Sequence, residues 1–227
     1  MSATTEAEFS TAASKAIAGQ LVVDPAHKAI PADPLVARLG VYASLPGIRS
    51  STGLWMNAQN GAALQYEVQD SGRRYRDRVV RFTETGALQR TRRPAAADDQ
   101  DNPATWTDKS SGFWPYAQSP DGEPVLDSLG LLYAVAGGPL AKAGDHMDVL
   151  VFQRRQLVRV KLVVDRLIDT PVSFRATYPA GGRTCSGTSR ALRIRLTVAP
   201  FGTGSTDFDF LGLKRRHRRA RWNRRVG

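Results

Sequence analysis

The fold is decided by the stretch LRIRLTV at residues 192–198, in which apolar and charged or polar side chains alternate. An alternation of period two is typical of a strand with one face buried and the other in water. A run of apolar residues at 149–152 indicates a strand that is buried on both faces. The alternation recurs elsewhere in the chain, at residues 64–69, 158–165 and 172–178.

Further strands are expected at residues 74–83, near Leu88 and from Phe208 to Phe210. Together the segments give about eight strands with short connections, which favours antiparallel pairing. The predicted fold is therefore mainly β: a curved antiparallel sheet, a half-barrel or a barrel.

One helix is expected at residues 124–136, because apolar residues recur there at helical spacing. Pro124 can start this helix, and the glycines that follow residue 136 can end it. We expect the sheet to wrap on this one helix. The apolar positions are Leu126, Leu129, Leu132, Tyr133 and Ala136.

The chain divides into three segments by composition. Residues 1–60 are interpreted as an irregular N-terminal arm, with a short helix from Ala7 to Ala18 and prolines that interrupt any longer element. Residues 61–213 form the β-rich domain, which includes a long polar loop with aromatic side chains at residues 94–124. Residues 214–227 form an arginine-rich tail.

Most of the net charge of +11 lies in the tail. The rest of the chain carries 24 basic and 21 acidic residues, so its charge is nearly balanced. A basic segment of this kind is a candidate site for anions or nucleic acid. Its candidate residues are Lys214, Arg215, Arg216, Arg218, Arg219, Arg221, Trp222, Arg224 and Arg225.

Two hypotheses account for the tail. In the first, it is a basic arm that binds phosphates of nucleic acid or of an anionic membrane, with Trp222 stacking on a base or lying in the membrane interface. In the second, the reading frame shifts near Lys214, and the arginines are what GC-rich DNA encodes out of frame. The abrupt change from a strand pattern to arginines favours the second. The domain would then lack its closing strands and expose a sheet edge.

No catalytic, cofactor-binding or metal-binding motif is found. The phosphate-binding G-x-x-x-x-G-K-[ST] loop and the G-x-S-x-G nucleophile turn are absent from the sequence. Cys185 is the single cysteine, so the chain cannot form an internal disulfide. Asp145, His146 and Asp148 supply one histidine only, and a turn before a strand explains them better than a metal site.

A basic stripe is expected on the polar faces of several strands. It comprises Arg74, Arg76, Arg78, Arg159, Lys161, Arg175, Arg193 and Arg195. These side chains could form one basic sheet face that binds phosphates or lipid head groups. The more ordinary interpretation is that they are solvated and pair with Asp and Glu across strands.

Residues from about 64 to 213 resemble a bacterial cell-envelope family known as domain of unknown function 3108. The likeness is carried by Gly112-Phe113-Trp114-Pro115-Tyr116, by the helix motif PVLDSLGLLY at residues 124–133, and by Pro139-Leu140 and Gly144-Asp145. The resemblance implies a curved antiparallel sheet wrapped on a helix, an exported location and no established activity. It implies no catalytic residues. The tail departs from the family pattern, which continues with two more strands.

From these observations we expect a non-catalytic cell-envelope protein that holds an apolar or amphipathic ligand in the concavity of the sheet, without a cofactor. One alternative is a nucleic-acid-binding protein that uses the basic tail. A weaker alternative is a hydrolase whose carboxylates come together in space.

The resemblance predicts the cell envelope or periplasm as the location. Residues 1–20 lack the basic region and the apolar core of a secretory signal, so a cytoplasmic location stays open. No apolar stretch reaches the roughly 20 residues that a membrane-spanning helix needs.

Overall fold

The computed structural model describes residues 4–72, 75–96, 100, 102–178, 181–201 and 208–209. The tail, with all nine of its candidate residues, lies outside the described residues, as do Arg74 and Phe210. The described chain is mainly β, with short helices at α1 (Ser14–Ile17) and α2 (Gly130–Gly137). The predicted fold class is therefore confirmed in its general form: the protein is mainly β and contains a large antiparallel sheet.

The first sheet contains seven antiparallel strands, and each strand pairs with the next one along the chain. Such a meander needs only short connections. The connection between the second and third strands places Gly47 at φ 76°, a left-handed conformation that glycine adopts without strain. The sheet is not closed into a barrel. Its strands are β1 (Thr4–Ala13), β2 (Leu35–Leu45), β3 (Ile48–Asn57), β4 (Ala63–Gly72), β5 (Arg76–Phe82), β6 (Gly86–Arg93) and β7 (Thr107–Pro115).

The second sheet contains five strands, each of which pairs with the next one along the chain. Two of them, of 23 and 20 residues, are far longer than their neighbours. They pair with each other from Val158–Pro200 to Tyr178–Gly181 and extend beyond the sheet as a two-stranded ribbon. The strands are β8 (Val125–Leu126), β9 (His146–Gln153), β10 (Gln156–Tyr178), β11 (Gly181–Pro200) and β12 (Phe208–Asp209).

Two buried clusters hold the sheets and helix α2 together. One cluster packs the first sheet against the second, with Phe82, Leu54 and Met56 from the first sheet meeting Leu150 of β9. The other cluster packs helix α2 against β9, β10 and β11. Full burial of one such side chain stabilises the fold by roughly 1.5–3 kcal/mol. The two sheets therefore share a core. The wrapping of the sheet on helix α2 stays a prediction.

The expectation of an irregular N-terminal arm over residues 1–60 is corrected by three strands in this part of the chain. The helix expected from Ala7 to Ala18 is instead β1 followed by the short α1. Strand β1 gains ten paired positions along β2, and this tertiary pairing outweighs the weak local preference for helix. Irregular backbone is found from Leu21 to Pro34, where three of the prolines lie.

Three other segments differ from their predicted form. The polar loop expected at residues 94–124 contains β7, which pairs with β6. The helix expected at 124–136 begins later, at Gly130, because Val125 and Leu126 form a short parallel strand beside β9. The strands expected at 158–165 and 172–178 are one continuous strand, β10, with an irregularity between Val164 and Arg166.

Candidate ligand-binding cavity

An open cavity of about 610 Å³ lies on the face of the first sheet that meets the β9–β10 connection. Side chains two residues apart on one strand share a face, so β5 contributes every second residue from Arg76 to Phe82. Strand β6 contributes in the same way. The lining residues are Tyr66, Arg76, Arg78, Val80, Phe82, Gln89, Thr91, Arg93, Ser110, Asp127, Ser128, Phe152, Gln153, Arg154 and Arg155.

The apolar side of the cavity is built from aromatic rings. Phe82 is almost wholly buried, and its ring lies edge-on to that of Phe152, with 5.8 Å between the ring centroids. Phe152 is in turn 6.0 Å from the ring of Tyr116. Val80 and Tyr66 are directly opposite each other on β5 and β4. Of these groups, Tyr66 and Phe152 are half-buried and line the cavity, so they offer an apolar surface to a ligand, whereas Phe82 supports them from the core.

The arginine wall of the cavity consists of Arg76, Arg78 and Arg93 on β5 and β6. Arg76 donates to the Oδ2 atom of Asp70 over 2.6 Å, which fixes its direction. The guanidinium carbon of Arg78 lies 5.8 Å from the centre of the Tyr66 ring. The Nε atom of Arg78 is buried and has no hydrogen-bond partner among the described residues. A buried donor of this kind is costly unless an acceptor reaches it.

Two further arginines form the turn between β9 and β10, which we call the arginine turn (Arg154 and Arg155). Their φ angles are 48° and 70°, in the left-handed region where Asn and Gly are preferred. The register of Gln153 opposite Gln156 makes this a two-residue hairpin turn, and positive φ at both positions identifies it as type I′. The guanidinium of Arg155 lies 4.2 Å from the ring centre of Trp114.

Asp127 is the only acidic residue among the described residues that line the cavity. Its side chain is buried, and its Oδ1 atom accepts a hydrogen bond of 2.7 Å from the N–H of Gly130 at the start of helix α2. Burial raises the pKa of Asp127 to about 6, although the backbone N–H groups that it accepts from oppose this shift. Burial also raises the pKa of Tyr66.

A second cavity, of about 410 Å³, brings two carboxyl groups into one lining. They belong to Glu84 and Glu123. Glu84 lies 2.7 Å from the Nζ atom of Lys28, and Glu123 accepts two hydrogen bonds, of 3.0 and 3.1 Å, from Arg159. Both carboxylates are therefore engaged in ion pairs at the surface, an arrangement that needs no catalytic explanation.

The basic stripe expected from the sequence does not form one face. Arg76 and Arg78 belong to the first sheet, whereas Arg159, Arg193 and Arg195 belong to the second. The three arginines of the second sheet pair with acidic residues: Arg159 with Glu123, and both Arg193 and Arg195 with Asp165. The ordinary interpretation of cross-strand pairing therefore describes these three residues. Nothing is described of the side chain of Arg175, and Lys161 is exposed.

Two other candidate residues lie outside the cavity. Cys185 is a backbone partner of Phe174 in the ribbon, and its side chain is not among those described. Asp145 accepts from the N–H groups of Ala141 and Lys142, both over 2.8 Å, and so closes a turn before β9. In the described part of the chain, no group of three or more metal-ligating side chains comes together.

Sequence reasoning missed the cavity, although two signals for it exist. Arg154-Arg155 occupies the position of a hairpin turn, where Asn-Gly would be ordinary. Arg76 and Arg78 alternate along β5 in phase with the buried Val80 and Phe82, so the arginines share a face with these two core residues. Both signals are charged side chains at positions that usually hold other residues: a hairpin turn and the face of a strand that carries core residues.

Comparison with protein-family models, curated proteins and solved structures gives no match to this chain. The resemblance to the cell-envelope family therefore stays a prediction. Of the two α-helices in the described segments, neither has the length and apolarity needed to cross a membrane.

Proposed function

We propose that the protein is a non-catalytic binding protein of the cell envelope that holds an amphipathic ligand with an anionic head. The observation that carries the proposal is the joint presence, in one cavity, of an arginine wall and an aromatic surface. The cavity volume of about 610 Å³ is in the usual range for sites that bind small molecules. The ligand would place its anion on the arginines and its apolar part on Tyr66 and Phe152.

Arg78 supplies the energetic argument. Its Nε atom is buried without an acceptor among the described residues, and a carboxylate, sulfate or phosphate oxygen that binds the rest of the guanidinium from the cavity would offset this cost. A hydrogen bond between charged partners in a partly buried site is stronger than one between neutral groups. Arg76 differs, because Asp70 already binds its guanidinium. Arg78 is therefore the residue we expect to contribute most to the affinity for an anion.

Binding of octyl sulfate and of octanoate, measured by calorimetry below their micellar concentrations, tests the proposal. Loss of a charge-assisted hydrogen bond costs about 1.5–3 kcal/mol, so Arg78→Gln should weaken binding at least about tenfold. Arg166→Gln, an exposed change on the ribbon, is the matched control and should leave the affinity unchanged. If the wild-type protein shows no saturable binding of either compound, the proposal is wrong.

The envelope location rests on the family resemblance alone. It is tested separately, by reading the DNA upstream of the Met1 codon for an in-frame signal peptide and by fractionating cells that express the whole gene. Recovery of the native protein from the cytoplasm would contradict the location and would leave the binding site unaffected.

The weaker alternative is a hydrolase, and one observation gives it a place in the structure: Glu84 and Glu123 line the same cavity. If they act as an acid and base pair, any hydrolytic activity on chromogenic esters or glycosides should be lost in both Glu84→Gln and Glu123→Gln. Activity that survives both changes would exclude this pair.

A further inference from the structure

We infer that the head of the ligand is a dianion of the phosphate monoester class, held between the arginine wall and the arginine turn. This inference rests on the proposed function and deepens it, because it names the chemistry of the head group. It also assigns a role in binding to Arg154 and Arg155, which belong to a different sheet from the wall.

The first argument is the balance of charge in the cavity. Five arginines line it, and they face one carboxyl group, that of Asp127. Asp70 neutralises one arginine, Arg76, from the side. A monoanion would leave most of the remaining positive charge uncompensated, whereas a phosphate monoester carries between one and a half and two negative charges near neutral pH. Its three terminal oxygens also suit the fork of donors that each guanidinium presents.

The second argument is the backbone conformation of the arginine turn. Positive φ at both positions brings the Cβ atom close to the following carbonyl oxygen, and Asn-Gly would form the same hairpin with less strain. Arg155 also contacts Trp114, which could account for one of the two residues. Arg154 has no such contact among the described aromatic pairs. Two cations kept at an unfavourable turn position beside an arginine-lined cavity point to a role in binding.

The experiment compares three ligands with one chain length and different heads: octyl phosphate, octyl sulfate and octanoate, each below its micellar concentration at pH 8. At this pH the phosphate head is close to doubly charged, since its second pKa is about 6, whereas the other heads carry one charge. We expect the phosphate to bind about tenfold or more tightly than the sulfate, the change that one additional charge-assisted contact gives. Far-ultraviolet circular dichroism checks that the protein stays folded.

The variants Arg154→Asn and Arg154→Asn/Arg155→Gly test the turn. Both should raise the melting temperature, because the new residues favour the left-handed conformation, and both should bring the ratio of phosphate to sulfate affinity towards one. A purely structural role for the arginines predicts the opposite sign for stability and no change in this ratio. The single variant keeps the contact between Arg155 and Trp114, so it separates binding from that contact.

The outcomes distinguish this inference from the proposed function. If all three ligands bind alike, the inference is overturned and the amphipathic site stands. If octyl phosphate is preferred but the turn variants keep the preference, the assignment of the turn is overturned. If none of the three binds, both the site and its head-group chemistry are overturned.

Discussion

The N–H of Gly130 donates to the Oδ1 atom of Asp127 over 2.7 Å, at the point where β8 ends and helix α2 begins. An added Cβ atom at Gly130 would lie 3.2 Å from the Cβ of Leu126, so a side chain there would press on the core. Asp127 thus closes the turn that leads into helix α2 and lines the arginine cavity with the same carboxyl group. Because this carboxyl group is buried, its pKa is raised to about 6.

We predict that Asp127 makes the protein less stable as the pH rises. The folded-state pKa of about 6 lies above the unfolded value of 3.8, so the folded chain binds the proton more tightly. The resulting stability is fully present below pH 3.8 and is lost as the pH rises through about 6. Two pKa units correspond to about 3 kcal/mol as an upper estimate. Asn can also accept from Gly130, so Asp127→Asn should remove this loss.

The measurement is the free energy of unfolding in urea at pH 4 and at pH 7, for the wild type and for Asp127→Asn. Because both proteins share every other acidic group, the difference between their two pH responses isolates Asp127. An identical response in the two proteins would show that this carboxyl does not titrate abnormally.

We predict that Leu162→Ala and Leu167→Ala, two changes on strand β10, differ sharply in cost. Leu162 is 1% exposed and packs in the cluster under helix α2, so its truncation should cost about 2–5 kcal/mol. Leu167 is 44% exposed on the ribbon, and its truncation should cost less than about 1 kcal/mol. Urea unfolding of the two variants measures both values, and equal costs would contradict the described burial.

A close approach of β6 to β7 disfavours any side chain at Gly86. A Cβ atom at this position would lie 2.5 Å from the backbone oxygen of Trp114 and 2.9 Å from the Cα of Pro115. Because backbone atoms cannot move aside as a flexible side chain can, we expect Gly86→Ala to cost about 1–3 kcal/mol. Gly187→Ala, on the ribbon, is the control, since a Cβ there would meet nothing within 4 Å. Thermal melting that ranks the two variants equally would argue against this strand spacing.

Deletion of residues 214–227 tests the two hypotheses for the tail. On the frameshift hypothesis, which we favour, the deletion leaves binding to RNA and to anionic vesicles unchanged. On the basic-arm hypothesis, the full chain binds with a salt dependence in which log affinity falls by about 0.7–0.9 per phosphate contact for each log unit of salt, and the deletion abolishes it. Resequencing the gene around the Lys214 codon establishes how the tail arose.

The strands could be predicted where alternation was plain, as in β4, β5 and the paired parts of β10 and β11. The prediction failed for β2 and β3, because it rested on the prolines of residues 1–60, which in the structure lie outside both strands. Within these strands the guanidinium nitrogens of Arg38 lie 3.3 Å from where side chains on Gly40 and Gly53 would begin. The two glycines accommodate this arginine, which also approaches the ring of Trp55. In the sequence, however, glycines within a strand read as interruptions.

The two sequence signals mark single arginines but do not predict the cavity itself, because its residues are far apart along the chain. Arg78 and Arg154 stand on different sheets, and nothing local to either residue indicates that they line one space. The motif at residues 124–133 predicts a helix with an aspartate and a tyrosine, but the contacts of these two side chains are given only by the structure. Asp127 closes the turn that leads into helix α2, and the Oη atom of Tyr133 donates to the backbone oxygen of Ala58 over 2.7 Å.

The ribbon has a consequence for the order in which the protein opens. Strand β9 accompanies β10 only as far as Val163, so in the described chain the ribbon beyond it has a single ladder, about 50 Å long. An isolated pair of strands is marginally stable in water. Amide protons should therefore exchange with solvent progressively faster from Val163 towards Tyr178, while those of β9 exchange only in global unfolding. The ribbon can therefore lose its pairing from the end at Tyr178 while the arginine cavity, at the other end of β10, stays assembled.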